Sequence, residues 1–159
     1  MREARLLTTD GYDVVLAERL ARPVEPGMTT SRGFFGVVSV VDVVTDVDTE
    51  VAWYEAELGW HPLERHRRSG PAIQAIVGSD DPVELDVVPV GPPGSVRGRV
   101  QLVCYHGVQS FNRHGEAGPG ARGIIGLVVE AGARSLAGEP ARQLLSTPGG
   151  LRLERWTNR

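Results

Sequence analysis

The stretch "DVVTDVDTEVAWYEAELGW", residues 42–60, decides the fold because it joins a valine-rich strand to a capped helix. Asp46, Asp48 and Thr49 are residue types that accept hydrogen bonds from the free N–H groups of a helix start, and Glu50 suits the positive end of the helix dipole. Apolar residues recur at helical spacing at Val51, Tyr54 and Leu58. Gly59 favours a left-handed cap, so we predict a helix that ends there.

Strands are predicted on both sides of this helix. Residues 34–44, "FFGVVSVVDVV", predict a strand covered on both faces or at the centre of a curved sheet. After the helix, the segments "HPLERHRR", "PAIQAIVG" and "PVELDVVPV" predict three more strands, which completes a βαβββ unit over residues 34–90. The remainder predicts further strands in "GRVQLVCYHGVQ" and "GIIGLVVE", a short helix near "ARSLAG", and a closing hairpin in "ARQLLSTPGGLRLERW".

The N-terminal part predicts a separate hairpin. Asp10-Gly11 lies between apolar runs in residues 4–19, and both residue types tolerate the positive φ of a two-residue turn. Residues 20–33 hold two prolines and two glycines and predict a connector. We therefore divide the chain into residues 1–30, hairpin and connector, and residues 31–159, the main domain.

Composition excludes several classes of partner. The formal net charge is −3 and the arginines are scattered, so nucleic acid is not an expected partner. No apolar run approaches the roughly 18–20 residues of a membrane span. Cys104 is the only cysteine, which favours a reducing cytoplasm. All basic residues are arginine, which favours a GC-rich bacterial genome.

The helix segment also carries a family resemblance. "VVTDVDTEVAWYEAELGWHPLER" resembles the first module of the vicinal oxygen chelate superfamily, which includes glyoxalase I, extradiol dioxygenases and bleomycin resistance proteins. "STPGGLRLERW" resembles its terminal hairpin, without the two aspartates usual in that turn. The resemblance implies an α+β fold in which paired βαβββ modules form a half-open curved sheet, here with an extra N-terminal β-hairpin. That hairpin either completes the second module from the other end, by permutation or strand exchange, or is an accessory at a sheet edge or dimer contact.

In the superfamily the concave face holds a divalent metal, bound by one side chain from each of four strands. Carried over, the first-strand position falls at Ser39 and the fourth-strand position at Glu84 or Asp86. In the second module, the metal-ligand position on the first strand falls near Arg99 or Gln101, or near Ile124 if "GIIGLVVE" is the equivalent strand. The terminal position falls at Glu154. Glu84 and Glu154 are thus metal candidates, but histidine is missing from the set, so we expect no complete metal site; a divalent metal cofactor is the alternative.

The candidate site residues fall into two groups. Val100, Leu102, Cys104 and His106 share one strand face, which places His106 at the rim of an apolar wall. We predict His106 and Glu154 as acid–base candidates, since an apolar wall moves a pKa toward the working pH. Predicted ligand-binding residues are Ser39, Asp86, Gln101, Tyr105, Phe111 and Trp156.

Three functions remain open at this point. The first is a homodimeric protein that binds a small, largely apolar, natural-product-like molecule in the concave cleft. The second is a secondary-metabolism enzyme, a lyase, isomerase or ring-opening enzyme, with metal-assisted or acid–base chemistry. The third is an interaction module without a ligand, built around the N-terminal hairpin. The sequence holds no nucleophile elbow, Walker loop or dinucleotide fingerprint.

Overall fold

The computed structural model describes residues 2–7, 13–18, 38–95, 98–109, 127–131 and 141–157. The described elements fall into two compact units, one with the N-terminal hairpin and one with everything else. The hairpin pairs β1 (Arg2–Leu7) with β2 (Asp13–Glu18) in antiparallel sense, which confirms its prediction. Leu7 pairs with Asp13, whereas a two-residue turn at Asp10-Gly11 would pair Leu7 with Val14. The turn itself and the connector lie outside the described residues.

The second unit begins with a complete βαβββ module. Its elements are β3 (Ser39–Val43), α1 (Val47–Leu58), β4 (His61–Pro62), β5 (His66–Ser69), α2 (Pro71–Val77), β6 (Glu84–Gly91) and β7 (Arg99–His106). The sheet runs in the order β3-β7-β6-β4, with β5 also paired to β6. β3 is parallel to β7, and the other pairs are antiparallel. β4 and β5 both pair with β6 and together take the second strand position, so β6 is the third strand and β7 the fourth. The predicted end of the module at residue 90 was therefore wrong.

Helix α2 corrects a second prediction. The segment "PAIQAIVG" was expected to be a strand, but Pro71 opens a helix after Gly70 and Gly78 closes it at φ 70°. Proline fits the first helical turn, where its missing N–H costs nothing, and glycine tolerates the left-handed cap. These two flanking residues favour a helix over a strand for this short apolar run. Within the helix, Ile73 is buried.

The chain closes with a smaller sheet built on the same plan. β8 (Leu127–Ala131), β9 (Ala141–Ser146) and β10 (Arg152–Thr157) lie in the order β8-β10-β9. β8 is parallel to β10 and β9 is antiparallel to it, as β3 and β6 are to β7. The predicted α+β class with paired modules and open sheets is confirmed; the helix predicted near "ARSLAG" lies outside the described residues. None of the described helices is long and apolar enough to cross a membrane.

Helix α1 begins and ends where the sequence predicts. The Asp46 carboxylate accepts hydrogen bonds from the backbone N–H groups of Asp48 and Thr49 at 3.0 and 3.1 Å, and from the Thr49 hydroxyl at 2.7 Å. Gly59 ends the helix at φ 63°. The N-cap hydrogen bonds lower the pKa of Asp46, the Thr49 hydroxyl contributing most.

Both sheets share one apolar core with α1. Tyr54 is fully buried, stacks on Trp60 with ring centres 5.8 Å apart, and meets Trp53 edge to face. The cluster contains residues from β6, β7, β8 and β10, namely Val88, Val90, Val100, Leu102, Cys104, Val129 and Leu153. Since this cluster joins the two sheets through α1, burial of its apolar surface is the main term that holds the second unit together.

Two hydrogen bonds attach α1 to the closing hairpin. The buried Glu50 carboxylate accepts the N–H of Gly149, and the Arg155 guanidinium donates to the carbonyl of Glu57. Glu50 was expected to act only on the helix dipole. In the structure it holds the β9–β10 connection, a long-range role that its position in the sequence does not reveal.

Strand β3 differs from its prediction. It is the end strand in the order of the five-stranded sheet, and Val41 and Val43 are exposed on the side opposite Asp42 and Val44. The described part of this strand is therefore neither covered on both faces nor central. Its valines alternate between the core and an open face, because side chains repeat every two residues along a strand.

Replacing Asp46 tests the helix cap. D46A should lower Tm at neutral pH, because two N–H groups of α1 lose their acceptor. The lowered pKa of Asp46 means that the carboxylate stabilises the fold above its unfolded pKa of about 3.9, and that this contribution disappears as pH falls through the folded value. The Tm gap to the wild type should therefore narrow in acid. D46N, whose side chain still caps, should keep most of the stability; equal losses in D46N and D46A at pH 7 would contradict the capping role.

Replacing Tyr54 tests the buried ring. Its hydroxyl has no hydrogen-bond partner among the described residues, and burial together with the charges of Asp42 and Glu50 raises its pKa. Tyr54→Phe keeps the ring on Trp60 and removes a desolvated hydroxyl, so we expect a stability gain of about 1 kcal/mol in urea unfolding. Tyr54→Leu, which loses the ring, should be less stable than the wild type. A Phe variant that unfolds at lower urea would show that the hydroxyl has a partner.

Candidate functional site

Cross-strand pairing assigns each side chain of the five-stranded sheet to one of two faces. The core-facing side carries Asp42, Leu102 and Val88 in one row and Cys104 beside Asp86 in the next. The opposite side, which we call the core-distal face, carries Val43, Val103 and Val87 in its central row. Paired residues on neighbouring strands point to the same side, so the predicted site residues can be sorted by face.

Asp86 lies on the core-facing side in a network of ion pairs. Its carboxylate is fully buried and accepts Arg65 Nε at 2.9 and 3.1 Å and an Arg65 terminal nitrogen at 2.5 Å. Arg65 also donates to Asp48 at 2.7 Å. Arg67 and His106 Nε2 lie 3.4 and 3.8 Å from Asp86 Oδ2. The network ties β4–β6 to the start of α1.

This environment holds Asp86 in its ionised form. The hydrogen bonds from Arg65 lower the pKa of Asp86 most, and the charges of Arg65, Arg67 and His106 act in the same direction. Glu84 lies on the same face, with Arg67 3.7 Å from its carboxylate. An acid held ionised by arginines is suited to structure rather than to proton transfer. The role of Asp86 as a ligand-binding residue stays a prediction. Its carboxylate oxygens already accept hydrogen bonds from Arg65.

The core-distal face of the five-stranded sheet holds three predicted ligand-binding residues. Ser39, Gln101 and Tyr105 all lie on this side, in rows with Arg99, Val41 and Leu85 respectively. Val41 and Val43 are exposed toward the β3 edge, while Val87 and Val103 are buried at the centre. The face thus combines valines with a hydroxyl, an amide and a phenol, and β5 adds His66 and Arg68 beside Val87 and Leu85. Arg99 turns its guanidinium to the carbonyl of Ser95.

The core-distal face of the three-stranded sheet carries Glu154 and Trp156. Glu154 on β10 pairs with Val128 on β8 and with Leu144 on β9, so the three side chains form one row. Val128 and Leu144 are 67% and 70% exposed, and the Glu154 side chain is 20% exposed. Glu154 Oε1 accepts the Trp156 indole N–H at 2.5 Å, and Oε2 accepts Arg142 at 2.7 Å.

Gln101 and Glu154 occupy equivalent places in the two modules. Each lies on the middle one of three strands, on the core-distal face, between a valine of a parallel neighbour and an apolar residue of an antiparallel neighbour. The rows are Val41–Gln101–Pro89 and Val128–Glu154–Leu144. The fourth-strand position of the first module is therefore on β7, and its assignment to Glu84 or Asp86 on β6 was wrong.

The described residues do not fit the metal site that the resemblance implies. No three His, Cys, Asp or Glu side chains come together in the described ranges. The two candidates Glu84 and Glu154 lie on different sheets and on opposite kinds of face, core-facing and core-distal. Arg142 donates a hydrogen bond to Glu154 at 2.7 Å, and Arg67 lies 3.7 Å from the Glu84 carboxylate. A site for a divalent ion needs several N or O donors converging on one point.

The two predicted acid–base residues are likewise not brought together. His106 lies at the end of β7 beside Asp86, on the core-facing side, and Glu154 lies on the core-distal face of the other sheet. They do not form an acid–base pair, and the catalytic role of each alone stays a prediction. Phe111 and Ile124 lie outside the described residues.

Three arginines and two apolar residues were missed in the sequence. Arg65 and Arg67 stand in a charged segment that reads as solvated, and their role depends on which strand pairs with β6. Arg142, Leu144 and Val128 become visible only with the register of β10, because Ser146 pairs with Arg152 across five intervening residues. The alternation of "ARQLLS" does place Arg142 and Leu144 on one face, which was an available signal.

An open cavity of about 480 Å³ lies between the start of α1 and the β9–β10 connection. It is lined by Thr45, Asp46, Thr49, Glu50, Pro148, Gly149 and Gly150. Its two carboxylates are already used, since Asp46 caps α1 and Glu50 accepts the Gly149 N–H. We therefore place the candidate site on the core-distal faces and not in this cavity.

Comparison with known proteins identifies the fold. No family model matches the chain, and no curated protein matches its sequence. A glyoxalase family protein from Bacillus cereus is similar in structure, with a TM-score of 0.61 and 13% identity over 82% of this chain and 99% of that one. A glyoxylase/bleomycin resistance protein/dioxygenase domain from Frankia sp. EAN1pec has a TM-score of 0.50 and 17% identity over 78% of this chain and 98% of that one. The chain has the vicinal oxygen chelate fold, as the resemblance of its α1 segment predicts.

Removing the partner of Asp86 tests its structural role. Arg65→Met should destabilise the protein by about 2 kcal/mol at pH 7, because a buried carboxylate loses its main partner while Arg67 and His106 still compensate in part. Because the folded pKa of Asp86 is lowered, the stability it contributes is present above about pH 3.9 and is lost as pH falls through the folded value. The difference between wild type and variant, measured by urea unfolding, should shrink in acid.

Two further variants complete this test. Arg68→Met, three residues along the chain on β5, is the control, since Arg68 pairs with Leu85 and so points away from Asp86. The double variant R65M/D86L should recover much of the loss, because it removes both charges. If Arg65→Met and Arg68→Met unfold at the same urea concentration, the network does not stabilise the fold.

Proposed function

We propose that this protein binds a small, largely apolar molecule in a cleft lined by the core-distal faces of its two curved sheets. The observation that carries the proposal is the distribution of exposed apolar side chains. Most of those in the described residues lie on these faces, namely Val41, Val43, Val128, Leu144 and Trp156. Apolar groups gathered on one surface with a few polar groups among them are typical of ligand-binding sites.

The polar groups on these faces support a binding role. Ser39, Gln101 and Tyr105 offer neutral hydrogen-bonding groups on one sheet, and Glu154 offers a charge-balanced carboxylate on the other. A few placed polar groups in an apolar surface orient a ligand without demanding that it carry charge. The glyoxalase and bleomycin resistance names of proteins with this fold agree with a small-molecule ligand, and we propose one for this chain.

We further propose that binding needs no metal, that the protein acts in the cytoplasm, and that it is a homodimer. The first proposal is supported by the positive charges of Arg67 and Arg142, which lie beside the carboxylates of Glu84 and Glu154 and disfavour a cation there. The N-terminal hairpin has two strands, and the edges of such a hairpin can pair with a strand of another chain, which supports the homodimer. We retain the division into residues 1–30 and 31–159 as part of this proposal.

A thermal-shift screen of small aromatic natural products against the whole chain tests the function. A ligand at one hundred times its Kd should stabilise the protein by about 2.7 kcal/mol, which raises Tm by several degrees. Leu144→Asp should abolish the shift by placing a charge on the proposed surface. Val38→Asp is the matched control, because Val38 is also exposed but precedes Ser39 and so points to the opposite side from the core-distal face.

Two results would contradict the proposal. One is a screen in which no compound raises Tm. The other is equal loss of the shift in the Leu144→Asp and Val38→Asp variants, which would place the ligand elsewhere. Elemental analysis of the untagged protein, with melts in chelator, checks the metal-free part: stoichiometric metal and a lower Tm in chelator would overturn it.

A further inference from the structure

The surroundings of Glu154 constrain the chemistry of its ligand. Its carboxylate lies in one row with two of the most exposed apolar side chains of the described residues, Val128 and Leu144. Trp156 lies two residues further along the same strand and face, with 38% of its surface exposed. A carboxylate is thus surrounded by apolar surface that a flat molecule can cover.

The carboxylate keeps hydrogen-bonding capacity. An ionised carboxylate accepts about four hydrogen bonds, and the two bonds from Trp156 and Arg142 use about half of them. Arg142 also balances its charge, and the Arg142 side chain is 59% exposed. What remains on Glu154 is acceptor capacity without net charge at the site.

A metal ion does not suit this arrangement. Each Glu154 oxygen already faces a donor, one of them the positive guanidinium of Arg142, which repels a cation. An organic anion would meet the carboxylate, and an organic cation would compete with Arg142 for it. An uncharged donor meets neither obstacle.

We infer that the ligand is a flat, uncharged molecule whose apolar part lies on Val128, Leu144 and Trp156 and whose N–H or O–H donates to Glu154. This inference rests on the proposed function and adds the chemical class of the ligand. A molecule that covers the row takes Glu154 out of water, and a desolvated acceptor without a donor is costly. Affinity should therefore depend on the donor and not on apolar area alone.

The experiment compares 2-naphthol with 2-methoxynaphthalene, which share the ring system and differ in the donor. Titration of the whole chain is followed by the indole N–H signal of Trp156 in ¹H–¹⁵N NMR, assigned with a Trp156→Phe variant. We expect 2-naphthol to shift this signal saturably and to bind at least about tenfold more tightly than its methyl ether. Glu154→Leu should remove the tenfold preference, and Glu64→Leu, at an exposed carboxylate on another segment of the chain, should retain it.

The other outcomes separate the two proposals. Equal binding of both naphthalenes would overturn the inference and leave the proposed function standing. Failure of both to bind, together with a negative screen, would overturn both. Saturable broadening of the Trp156 signal by Mn²⁺ would make Glu154 a metal ligand and overturn the inference. A Trp156 signal that moves with protein concentration would do the same, by assigning this face to a second copy of the chain.

Discussion

The structure depends on the packing of α1 against both sheets. Tyr54 anchors the helix in the apolar cluster, while Glu50 and the carbonyl of Glu57 accept hydrogen bonds from the closing hairpin. Because every strand alternates its side chains, fixing which residues meet α1 also fixes which residues point away from it. The candidate site is therefore a consequence of how the core is formed.

This division separates two groups of polar residues that look alike in the sequence. Asp86, Glu84 and His106 lie on the core-facing side, where Arg65 and Arg67 neutralise the acids and the network joins β5 and β6 to α1. Glu154 lies on the side away from the core, among exposed apolar groups. A carboxylate in the first position contributes to folding, whereas we propose that one in the second is available to a ligand. Identity and spacing alone do not distinguish them.

Local signals were sufficient for some elements and not for others. The caps of α1 at Asp46 and Gly59 and the two hairpins follow from residues adjacent in the chain, and these predictions are confirmed. The register of each hairpin does not follow from such local residues. Five residues connect the two strands in both hairpins, and a turn signal such as Asp10-Gly11 does not show the length of the connection. A one-residue change of register moves side chains to the other face.

Two further differences come from contacts that are distant along the chain. The membership of β7 in the first module depends on its parallel pairing with β3, about sixty residues earlier. Glu50 meets Gly149 across ninety-nine residues, which no local pattern announces. The short segment after Gly70 was ambiguous because a brief apolar run suits either a helix or a strand, and its flanking Pro71 and Gly78 decide the matter.

The equivalent rows around Gln101 and Glu154 make the two halves of the repeated fold chemically different. The backbone repeats the same strand order, but one copy presents an amide, which both donates and accepts, and the other presents a carboxylate, which only accepts. A molecule that touches both rows therefore meets different demands at its two ends. Two equivalent rows would accept such a molecule in two nearly equal orientations. The difference between Gln101 and Glu154 makes these orientations unequal, so an asymmetric ligand of the proposed kind would bind in one of them.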